Sequence, residues 1–537
     1  RTWYEAVTSS RPTAPIVDGD LLVEPPFDAW AALARDNAAA AASWAFEVAG
    51  MHARELRALA REEALAAAGE FCTRCGIGVR RVEGAPDLLV MTGHQPELYH
   101  PGIWAKDFLL QRLANETGAA AIDIVVDSDG FDVLGMRAPC LRPDPVLCHA
   151  DLAIGEKEGC YACAPVPSGR ALAAFESAGR EALATLPVAA PLHDFERFCA
   201  GFGSVEPNAR NLAEFVTVSR RRFEAAAGTD YLELPVTSLA RSRAFARFVA
   251  HIALDARRFA ETYNAALAAY RERTGTRSAA QPFPDLAIGA DAIELPFWVV
   301  GAARCTAWVR TQGEPALVSD ADVLCDLGPD AEEAAERLFG SGIGLAPKAL
   351  ALTMFARMFV TDLFIHGVGG GRYDQVTDEV VRHYFGVEPP AFAVASLTVM
   401  LPLGMPVVSD AEIEDAAMAL NRLEHNPDQM LSEASFASDE DAEHAVALAA
   451  AKHALVAEIA LPDADKKMVG ARIRQANAEL ATLLGPMKRE LTERVTRLER
   501  SRQARDVLTD RTYPFCLWEA VEIRGLVDRA VGTRTGR

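Results

Sequence analysis

The segment between residues 87 and 132 constrains the fold of this chain more than any other. Residues 88–91 form a short apolar run that ends in Thr-Gly-His, and residues 122–126 form a second apolar run. Residues 103–113, between the two runs, have the pattern of a helix. Strand, helix and strand within roughly forty residues form a βαβ unit, which requires parallel strands. We therefore expect an α/β fold with a parallel sheet at its core.

A second strand, loop and helix pattern lies between residues 359 and 385. Residues 359–365 are predicted as a strand, residues 367–371 as a glycine loop and residues 375–385 as a helix. Ligands of parallel α/β sheets bind beyond the carboxyl ends of the strands. The loops at 92–102, 127–132 and 366–374 are therefore the candidate ligand-binding positions.

The rest of the chain is predicted as helical segments around this core, among them a helix across 244–272, and as further strands at 295–300 and 307–310. Apolar residues recur at steps of three and four between Leu480 and Leu498, and Ser409 with Glu412 forms a capping box. Aromatic residues in the tail indicate that it packs on the core. The predicted organisation is a helical segment at 1–85, a core at 86–408 with a helical insertion at about 165–285, a helical hairpin or coiled coil at 409–510, and a tail at 511–537.

Composition limits the classes of partner. A net charge of -21 over 537 residues argues against nucleic-acid binding, which requires a basic surface. The sequence has neither an apolar run long enough to span a membrane nor a secretory leader. Ten cysteines without such a leader predict reduced thiols. We expect a cytoplasmic protein with small-molecule substrates.

The first candidate site is the segment that follows residues 88–91. Two histidines, two glycines and the start of a helix suit an anion, because a helix N-terminus offers unpaired N–H groups and a positive dipole end. A turn with structural histidines is the alternative. The candidate residues are Thr92, Gly93, His94, Gln95, His100, Gly102 and Lys106.

Two further candidate sites follow the other predicted strands. Asp127 and Asp129 could bind Mg²⁺, orient an amine or act as a general base, or they could form a solvated acidic turn. In the glycine loop, backbone amides can approach an anion closely, and an arginine adds a fixed set of donors. The candidates in that loop are His366, Gly369, Gly370, Arg372 and Asp374.

Two further groups of residues are candidates for binding substrate or metal. Glu294, Arg304 and Lys348 are predicted to line the pocket, although Glu294 could equally be a solvated residue on a core strand. Two Cys-x-x-Cys pairs have the ligand spacing of a structural zinc site, and buried thiols are the alternative. The zinc candidates are Cys72, Cys75, Cys160 and Cys163.

Several segments, in the same order, resemble the bacillithiol biosynthesis cysteine-adding enzyme family. Residues 92–98 are similar to its Thr-Gly-Gln-Gln-x-Gly-Leu turn, and residues 127–132 to its Glu-Asp-His-Asp-x-x-Glu segment. Residues 263–267 resemble its Asn-x-Ala-Leu helix, and residues 345–350 its Ser-Pro-Arg/Asn-x-x-Leu-Arg-Pro stretch. Residues 367–373 stand where that family has Gly-Gly-Pro-Gly-Glu. The resemblance extends over roughly residues 88–405, with a coiled coil following in both.

The resemblance implies a Rossmann-like core, a coiled coil that forms a homodimer, and nucleotide binding, with ATP or ADP and Mg²⁺ as the expected cofactors. It implies a ligase that joins an amino acid such as cysteine to an amino group on a small anionic acceptor. His94 and Gln95 would orient substrate or phosphate. Asp127 and Asp129 would interact with the amine of the acceptor. Arg372 would grip a carboxylate or phosphate.

This sequence departs from the family at pocket positions, which implies a different substrate. The departures are His94, Glu97, Ser128, His366 and Arg372. Two alternatives remain open. One is a nucleotidyl transferase, because His100-Pro101-Gly102-Ile103 partly resembles a His-x-Gly-His motif. The other is a non-catalytic nucleotide-binding scaffold.

Overall fold

The computed structural model describes residues 12–532, apart from positions 81, 83, 143–144, 157, 277, 279–282, 321, 405–406, 435, 437, 460 and 462–464. The chain divides into two compact units. The larger unit contains the described residues up to Cys140, Leu147–Leu401 and the described residues from Arg511 onward. The smaller unit contains Leu141–Val146 and Pro402–Asp510.

The strands are, in chain order, β1 (Leu21–Glu24), β2 (Glu47–Val48), β3 (Met51–His52), β4 (Leu89–His94), β5 (Ala120–Val125), β6 (Val133–Cys140), β7 (Val146–Ile154), β8 (Leu232–Pro235), β9 (Ala292–Val300), β10 (Arg304–Arg310), β11 (Ala316–Ser319), β12 (Asp322–Asp326), β13 (Leu345–Pro347), β14 (Leu363–His366) and β15 (Ala393–Leu397).

The α-helices are α1 (Trp30–Ala42), α2 (Ala53–Cys75), α3 (Pro101–Thr117), α4 (Gly169–Leu183), α5 (Ala190–Ala200), α6 (Phe202–Val205), α7 (Leu212–Glu224), α8 (Val236–Leu239), α9 (Arg243–Leu254), α10 (Ala256–Thr274), α11 (Ala331–Ser341), α12 (Ala349–Phe355), α13 (Val368–Val380), α14 (Asp410–His425), α15 (Asp439–Ile459), α16 (Lys466–Leu483), α17 (Gly485–Gln503), α18 (Arg505–Leu508) and α19 (Ala520–Gly532). Short 3₁₀ turns lie at Phe27–Ala29, Ala225–Ala227, Pro427–Glu433 and Phe515–Leu517.

A six-stranded sheet in the order β1-β15-β14-β4-β5-β8 forms the centre of the larger unit. Every pairing in it is parallel except that of β1 with β15. The prediction of an α/β fold with a mostly parallel sheet is therefore confirmed. Every residue of β5 is buried, as expected for a strand covered on both faces.

The order of the strands creates a switch point between β4 and β14. From β4 the chain continues on one side through β5 and β8, and it later adds β14 and β15 on the other side. The connections that leave the carboxyl ends of β4 and β14 therefore run in opposite directions. In open α/β sheets this arrangement opens a crevice in which ligands bind.

Local sequence signals explain why α3 begins directly after the β4 loop. The His100 side chain caps the helix by accepting a hydrogen bond from the Gly102 N–H, and Pro101 occupies the first turn. Gly118 ends the helix in the left-handed conformation, with φ of 74°. The helix predicted at 103–113 is thus confirmed and extends further at both ends.

Three local predictions are wrong. Residues 356–360 form a π-helical turn, so the strand before His366 begins only at Leu363. The predicted glycine loop is instead the first turn of α13, which begins at Val368. Glycine disfavours helix, but a Cβ on Gly371 would lie 2.5 Å from Cγ2 of Val394, so the packing of α13 on β15 requires glycine there. The helix expected across 244–272 is divided at Asp255 into α9 and α10.

Outside the central sheet, the larger unit has a second, antiparallel sheet in the order β12-β11-β10-β9-β13. Strand β9 lies next to its edge strand β13 and pairs with β10 on its other side. This sheet carries the side chains of Glu294, Trp298 and Arg304. The strands predicted at 295–300 and 307–310 are confirmed within β9 and β10.

The smaller unit is helical. Helix α15 packs against α16, and α14 packs against α17. The capping box of Ser409 and Glu412 is confirmed at the start of α14. The apolar seam predicted between residues 480 and 498 is interrupted at Leu484, where α16 ends and α17 begins after one residue. The hydrophobic core of the smaller unit contains Leu423, Met430, Leu484 and Leu491.

Among the helices given above, none combines the length and the apolar character that crossing a bilayer requires.

The C-terminal segment of the larger unit packs on α3 through Phe515. The Phe515 N–H donates a hydrogen bond of 2.7 Å to the carbonyl of Tyr99. Its ring lies 5.2 Å from that of Trp104, 5.5 Å from that of Tyr99 and 5.6 Å from that of Phe198, measured between centroids. Phe515 is fully buried.

We expect Phe515→Ala to lower the free energy of unfolding by about 3–5 kcal/mol, because it leaves a cavity among aromatic rings. Urea denaturation followed by circular dichroism measures this change. Val521→Ala, at a position that is 47% exposed in the same segment, is the matched control and should change stability by less than about 0.5 kcal/mol. Equal effects of the two substitutions would show that the segment is not packed as described.

Candidate functional site

The candidate residues at 92–102, 127–129 and 366–374 lie at or just beyond the carboxyl ends of three adjacent strands. Strand β4 lies between β14 and β5 in the central sheet. Ile365 pairs with Thr92, and His94 pairs with Val125. All three candidate segments therefore lie along the same edge of the sheet, which we call the carboxyl edge.

His94, the last residue of β4, is half-buried at this edge. Its Nδ1 lies 3.1 Å from the carbonyl of Gln95, and its ring meets that of Tyr99 edge to face. Nε2 has no hydrogen-bond partner within the described ranges. Burial, and then the nearby Lys106 ammonium, lower the pKa of His94 to about 3. The imidazole is therefore neutral near pH 7 and can accept a hydrogen bond at Nε2.

Thr92 and Lys106 hold β4 in place. The Thr92 hydroxyl donates a hydrogen bond of 2.8 Å to the carbonyl of Ile365 and so ties β4 to β14. The Lys106 ammonium donates one of 2.9 Å to the carbonyl of Gly93. Both side chains are buried, and burial lowers the pKa of Lys106 despite the opposing effect of Asp107. Their contacts are those of structural residues.

Arg511, which the sequence did not indicate, lies at the start of α3. A Cβ on Gly102 would lie 2.8 Å from Nη2 of Arg511. That nitrogen also donates to the Ser396 hydroxyl at 3.1 Å and to the carbonyl of Leu397 at 3.2 Å, at the end of β15. Arg511 pairs with no acidic side chain in the described part of the chain, and its Nε is buried without a partner there. Burial lowers the pKa of this arginine.

Asp129 joins the β4 loop to the second sheet. Its Oδ2 accepts a hydrogen bond of 2.9 Å from the Gln95 amide, and its Oδ1 accepts one of 3.1 Å from Nη1 of Arg304. The same Nη1 also donates to the carbonyl of Ser128. The structure therefore brings together three predicted site residues in one polar bridge.

The bridge continues through Trp298. The Arg304 guanidinium lies 4.4 Å from the centre of the Trp298 ring, and Nζ of Lys348 lies 4.6 Å from it. Lys348 also forms an ion pair of 2.5 Å with Glu294. Burial lowers the pKa of Lys348, and the pairing with Glu294 opposes this shift. The candidates Glu294, Arg304 and Lys348 thus form one cluster around Trp298.

Asp127 has a different environment from Asp129, although both follow β5. Asp127 is buried and accepts hydrogen bonds from the backbone N–H and the hydroxyl of Thr237, at the start of α8. Burial raises the pKa of Asp127 to about 6, and the bonds from Thr237 oppose the rise. This side chain joins the ends of β5 and β8.

His366 and Asp374 form a buried pair between β14 and α13. Nε2 of His366 lies 2.9 Å from Oδ2 of Asp374, which also accepts a hydrogen bond from Arg357. Thr353 donates to the other carboxylate oxygen. Burial would raise the pKa of Asp374, but Arg357 and His366 hold it well below its usual range. His366 is only 5% exposed, which suits a structural role better than contact with substrate.

The other candidates in this segment lie in the first turn of α13. Gly367 is the N-cap and supplies no capping side chain, and Gly369 and Gly370 follow it. The N–H groups of this turn therefore have no side-chain cap. Arg372 donates a hydrogen bond of 2.9 Å from Nε to the carbonyl of Pro12, so it holds the N-terminal part of the chain.

The four cysteines do not assemble the predicted zinc site. Cys160 and Cys163 form a disulfide, so the expectation of reduced thiols is wrong for this pair, and its sulfurs cannot act as thiolate ligands. Cys72 and Cys75 are buried, and burial raises the pKa of Cys72 to about 12, which disfavours its thiolate. In the ranges that the structure describes, no group of three or more His, Cys, Asp or Glu side chains could hold a metal ion.

A cavity of about 650 Å³ lies away from the carboxyl edge, between α1 and α2. Arg57 and Arg61 line it, and both form ion pairs with Asp362 at the start of β14. Arg57 donates its remaining hydrogen bonds to the carbonyls of Met358 and Thr361. Because these arginines are satisfied within the protein, we place the candidate site at the carboxyl edge.

No family model matches the chain, and a search of curated proteins found no match. The resemblance to the cysteine-adding family therefore stays a prediction.

We expect the His94 imidazole to stay neutral from pH 8 down to about pH 4, because its pKa is lowered to about 3. Histidine in the unfolded chain takes up its proton near pH 6.5, so lowering the pH from 6.5 toward 3 favours unfolding through this residue. NMR of ¹⁵N-histidine-labelled protein measures the titration, and the His94→Gln variant assigns the signal. A His94 signal that titrates near pH 6.5 would contradict the described burial.

Proposed function

We propose that this chain is a ligase with a Rossmann-like core. It would bind an anionic small molecule, such as the phosphates of ATP or ADP, at the switch point between β4 and β14. It would join the carboxyl group of an amino acid, with cysteine as one candidate, to an amine on a small anionic acceptor. The amide-forming reaction comes from the resemblance to the cysteine-adding family, and the anion site rests on the geometry of the carboxyl edge.

The observation that carries the anion site is the pair of glycine-containing helix starts on the two sides of the switch point. Helix α3 begins after β4, and α13 begins one residue after β14. The positive end of each helix dipole favours an anion there, and at α13 the first N–H groups also have no side-chain cap. Arg511 adds a positive charge without an acidic partner in the described chain, beside Gly102. This combination supports phosphate or carboxylate binding.

His94 would orient the amine substrate. Its neutral imidazole has an acceptor at Nε2, and its position at the end of β4 is next to the helix start at α3. An N–H of the amine would donate a hydrogen bond to Nε2, which directs the nitrogen lone pair at the activated carboxyl carbon. ATP, when bound, would supply the activation of the carboxylate.

The Asp129 bridge would position the substrates. Asp129 fixes Arg304 and Gln95 relative to each other, and Arg304 has donors for a carboxylate. Asp127 and Asp129 are already engaged, by Thr237 in one case and by Gln95 and Arg304 in the other. These carboxylates do not fit an Mg²⁺ site as they stand, and we assign no step to a metal.

Isothermal titration calorimetry with ATP tests the anion site. We expect Arg511→Gln to raise the Kd for ATP about tenfold or more, because it removes a charge-assisted hydrogen bond. Arg54→Gln, at an exposed arginine at the start of α2, is the matched control and should leave the Kd unchanged. No binding of ATP or ADP at millimolar concentration, or equal Kd values for the two variants, would refute the anion site.

Mass spectrometry of reaction mixtures tests the reaction itself. Cysteine, ATP and glucosaminyl-malate, which is the amino acceptor of the family that the chain resembles, should give an amide product, and His94→Ala should lower its rate about a hundredfold. Pyrophosphate release without an amine would indicate the nucleotidyl transferase alternative. ATP binding without turnover of any substrate would leave the scaffold alternative.

We also propose that the helical unit forms a coiled coil that joins two copies of the chain. Its helices expose several apolar side chains that a partner helix could cover. These side chains are Met418, Val446, Val456 and Met468.

Light scattering coupled to gel filtration tests this assembly. We expect a mass of twice 57.8 kDa for the natural chain and a shift toward a single copy for the double variant Val446→Glu, Val456→Glu. Val133→Glu, at a residue that is 54% exposed in the larger unit, is the control and should remain a dimer. A natural chain that elutes as a monomer would exclude the dimer.

A further inference from the structure

The disulfide between Cys160 and Cys163 closes a short loop that is attached to the candidate site. The two residues between the cysteines donate backbone hydrogen bonds to the segment that follows β5. The Tyr161 N–H donates to the carbonyl of Asp129 at 3.0 Å, and the Ala162 N–H donates to the carbonyl of Asp127 at 2.8 Å. The loop thus fixes the backbone of both candidate aspartates.

Side chains attach the same loop to the β4 segment and to the second sheet. The Tyr161 hydroxyl donates a hydrogen bond of 2.8 Å to Glu97, and its ring stacks on Phe131 at 4.5 Å between centroids. Just before the first cysteine, the carbonyl of Glu158 accepts a bond of 2.7 Å from the Arg304 N–H. The disulfide loop is therefore joined to the three segments that form the polar bridge of Asp129.

The two sulfur-bearing residues differ in access to solvent. Cys160 is fully buried, whereas Cys163 is only partly buried. An external thiolate can therefore reach the sulfur of Cys163 more readily than that of Cys160. The Cys163 N–H donates a hydrogen bond of 3.2 Å to Sγ of Cys160, which would stabilise a thiolate on Cys160.

We propose that Cys160–Cys163 is a thiol–disulfide exchange site, whose substrate is a dithiol reductant and whose redox state controls the geometry of the carboxyl edge. One thiolate of the reductant attacks Sγ of Cys163, forms a mixed disulfide and displaces Cys160 as a thiolate. The second thiol of the reductant then attacks its own sulfur in the mixed disulfide and releases Cys163. The reductant leaves as an intramolecular disulfide, and its two protons end on Cys160 and Cys163.

Reduction separates the two sulfurs beyond bonding distance and removes the link that closes the loop. The N–H groups of Tyr161 and Ala162 then lose the constraint that aims them at Asp129 and Asp127. Control over activity rests on the proposed function of this edge. The chemistry of the disulfide and the change in its loop do not rest on the proposed function. The two proposals can therefore fail separately.

Hydrogen exchange measured by mass spectrometry tests this inference on the full chain. Treatment with dithiothreitol should raise the exchange rate of the Tyr161 and Ala162 amides at least tenfold, while amides in β5 stay unchanged. Alkylation followed by peptide mapping should label Cys160 and Cys163 only after reduction. The double variant Cys160→Ser, Cys163→Ser should show the fast exchange without reductant, and Cys199→Ser is the control that keeps slow exchange.

Labelling of both cysteines in protein that has been oxidised with diamide would show that the disulfide does not form, and would overturn the inference. Unchanged exchange on reduction would overturn control of the loop by the disulfide. If an amide-forming activity is found, reduction should lower its kcat/KM severalfold in the natural chain and leave that of the double serine variant unchanged. If reduction leaves the amide exchange rates unchanged while the protein still binds ATP, this inference is refuted and the proposed function stands.

Discussion

Arg220 lies at the centre of a buried ion cluster that joins the elements around the central sheet. Its guanidinium donates to Asp107 of α3 at 3.0 Å, to Asp123 of β5 at 2.9 Å and to Glu233 of β8 at 2.7 Å. It also donates to the hydroxyl of Tyr231. A buried charge is tolerated only when it is paired and hydrogen-bonded, so the positions of α3, α7, β5 and β8 are set relative to one another by this side chain.

The cluster also determines the charge beneath the candidate site. Its cations are Arg220, Arg221 and Lys106, and its carboxyl groups are Asp107, Asp123, Glu224 and Glu233. One carboxyl group is thus in excess, and it is stabilised as the neutral acid in this buried position. Burial raises the pKa of Glu233 well above its usual range, and its Oε2 has no hydrogen-bond partner among the described residues. Burial also raises the pKa values of Asp107 and Asp123, so the excess acid belongs to the cluster and not to Glu233 alone. The Lys106 ammonium of this cluster lowers the pKa of His94.

Elements with strong local signals could be predicted from the sequence, and elements set by distant packing could not. Strands β4 and β5 and the capped helix between them are determined by residues that are close in sequence. Their sequence pattern was therefore sufficient to predict them. The first turn of α13 was missed because four of its residues or neighbours are glycine, and only the close approach to Val394 explains why glycine is required. The π-helical turn at 356–360 was missed because its apolar residues are buried whether they form a helix or a strand.

The same distinction separates the parts of the candidate site. Loops that follow strands of a parallel sheet meet at one edge by topology, which is why segments near residues 94, 129 and 366 could be placed together. The roles of individual side chains depend on partners far away in sequence. His366 is occupied by Asp374, and Arg372 by Pro12, whereas Arg511 meets the start of α3 only after the C-terminal segment has docked. Such pairs have no local signature.

In the proposed function, Arg511 connects anion binding to the packing of the chain end. Phe515 packs on Tyr99 and Trp104, and this contact places Arg511, four residues earlier, beside Gly102. Arg511 can hold an anion only when the C-terminal segment is docked on α3. The two equilibria are therefore coupled: a bound anion stabilises the docked segment, and docking strengthens anion binding by the same free energy. The buried Arg220 cluster ties α3 to the central sheet through Asp107 and Asp123. Phe515 of the C-terminal segment packs on Trp104 of the same helix. The candidate site at the start of α3 is therefore complete only when both ends of this packing are in place.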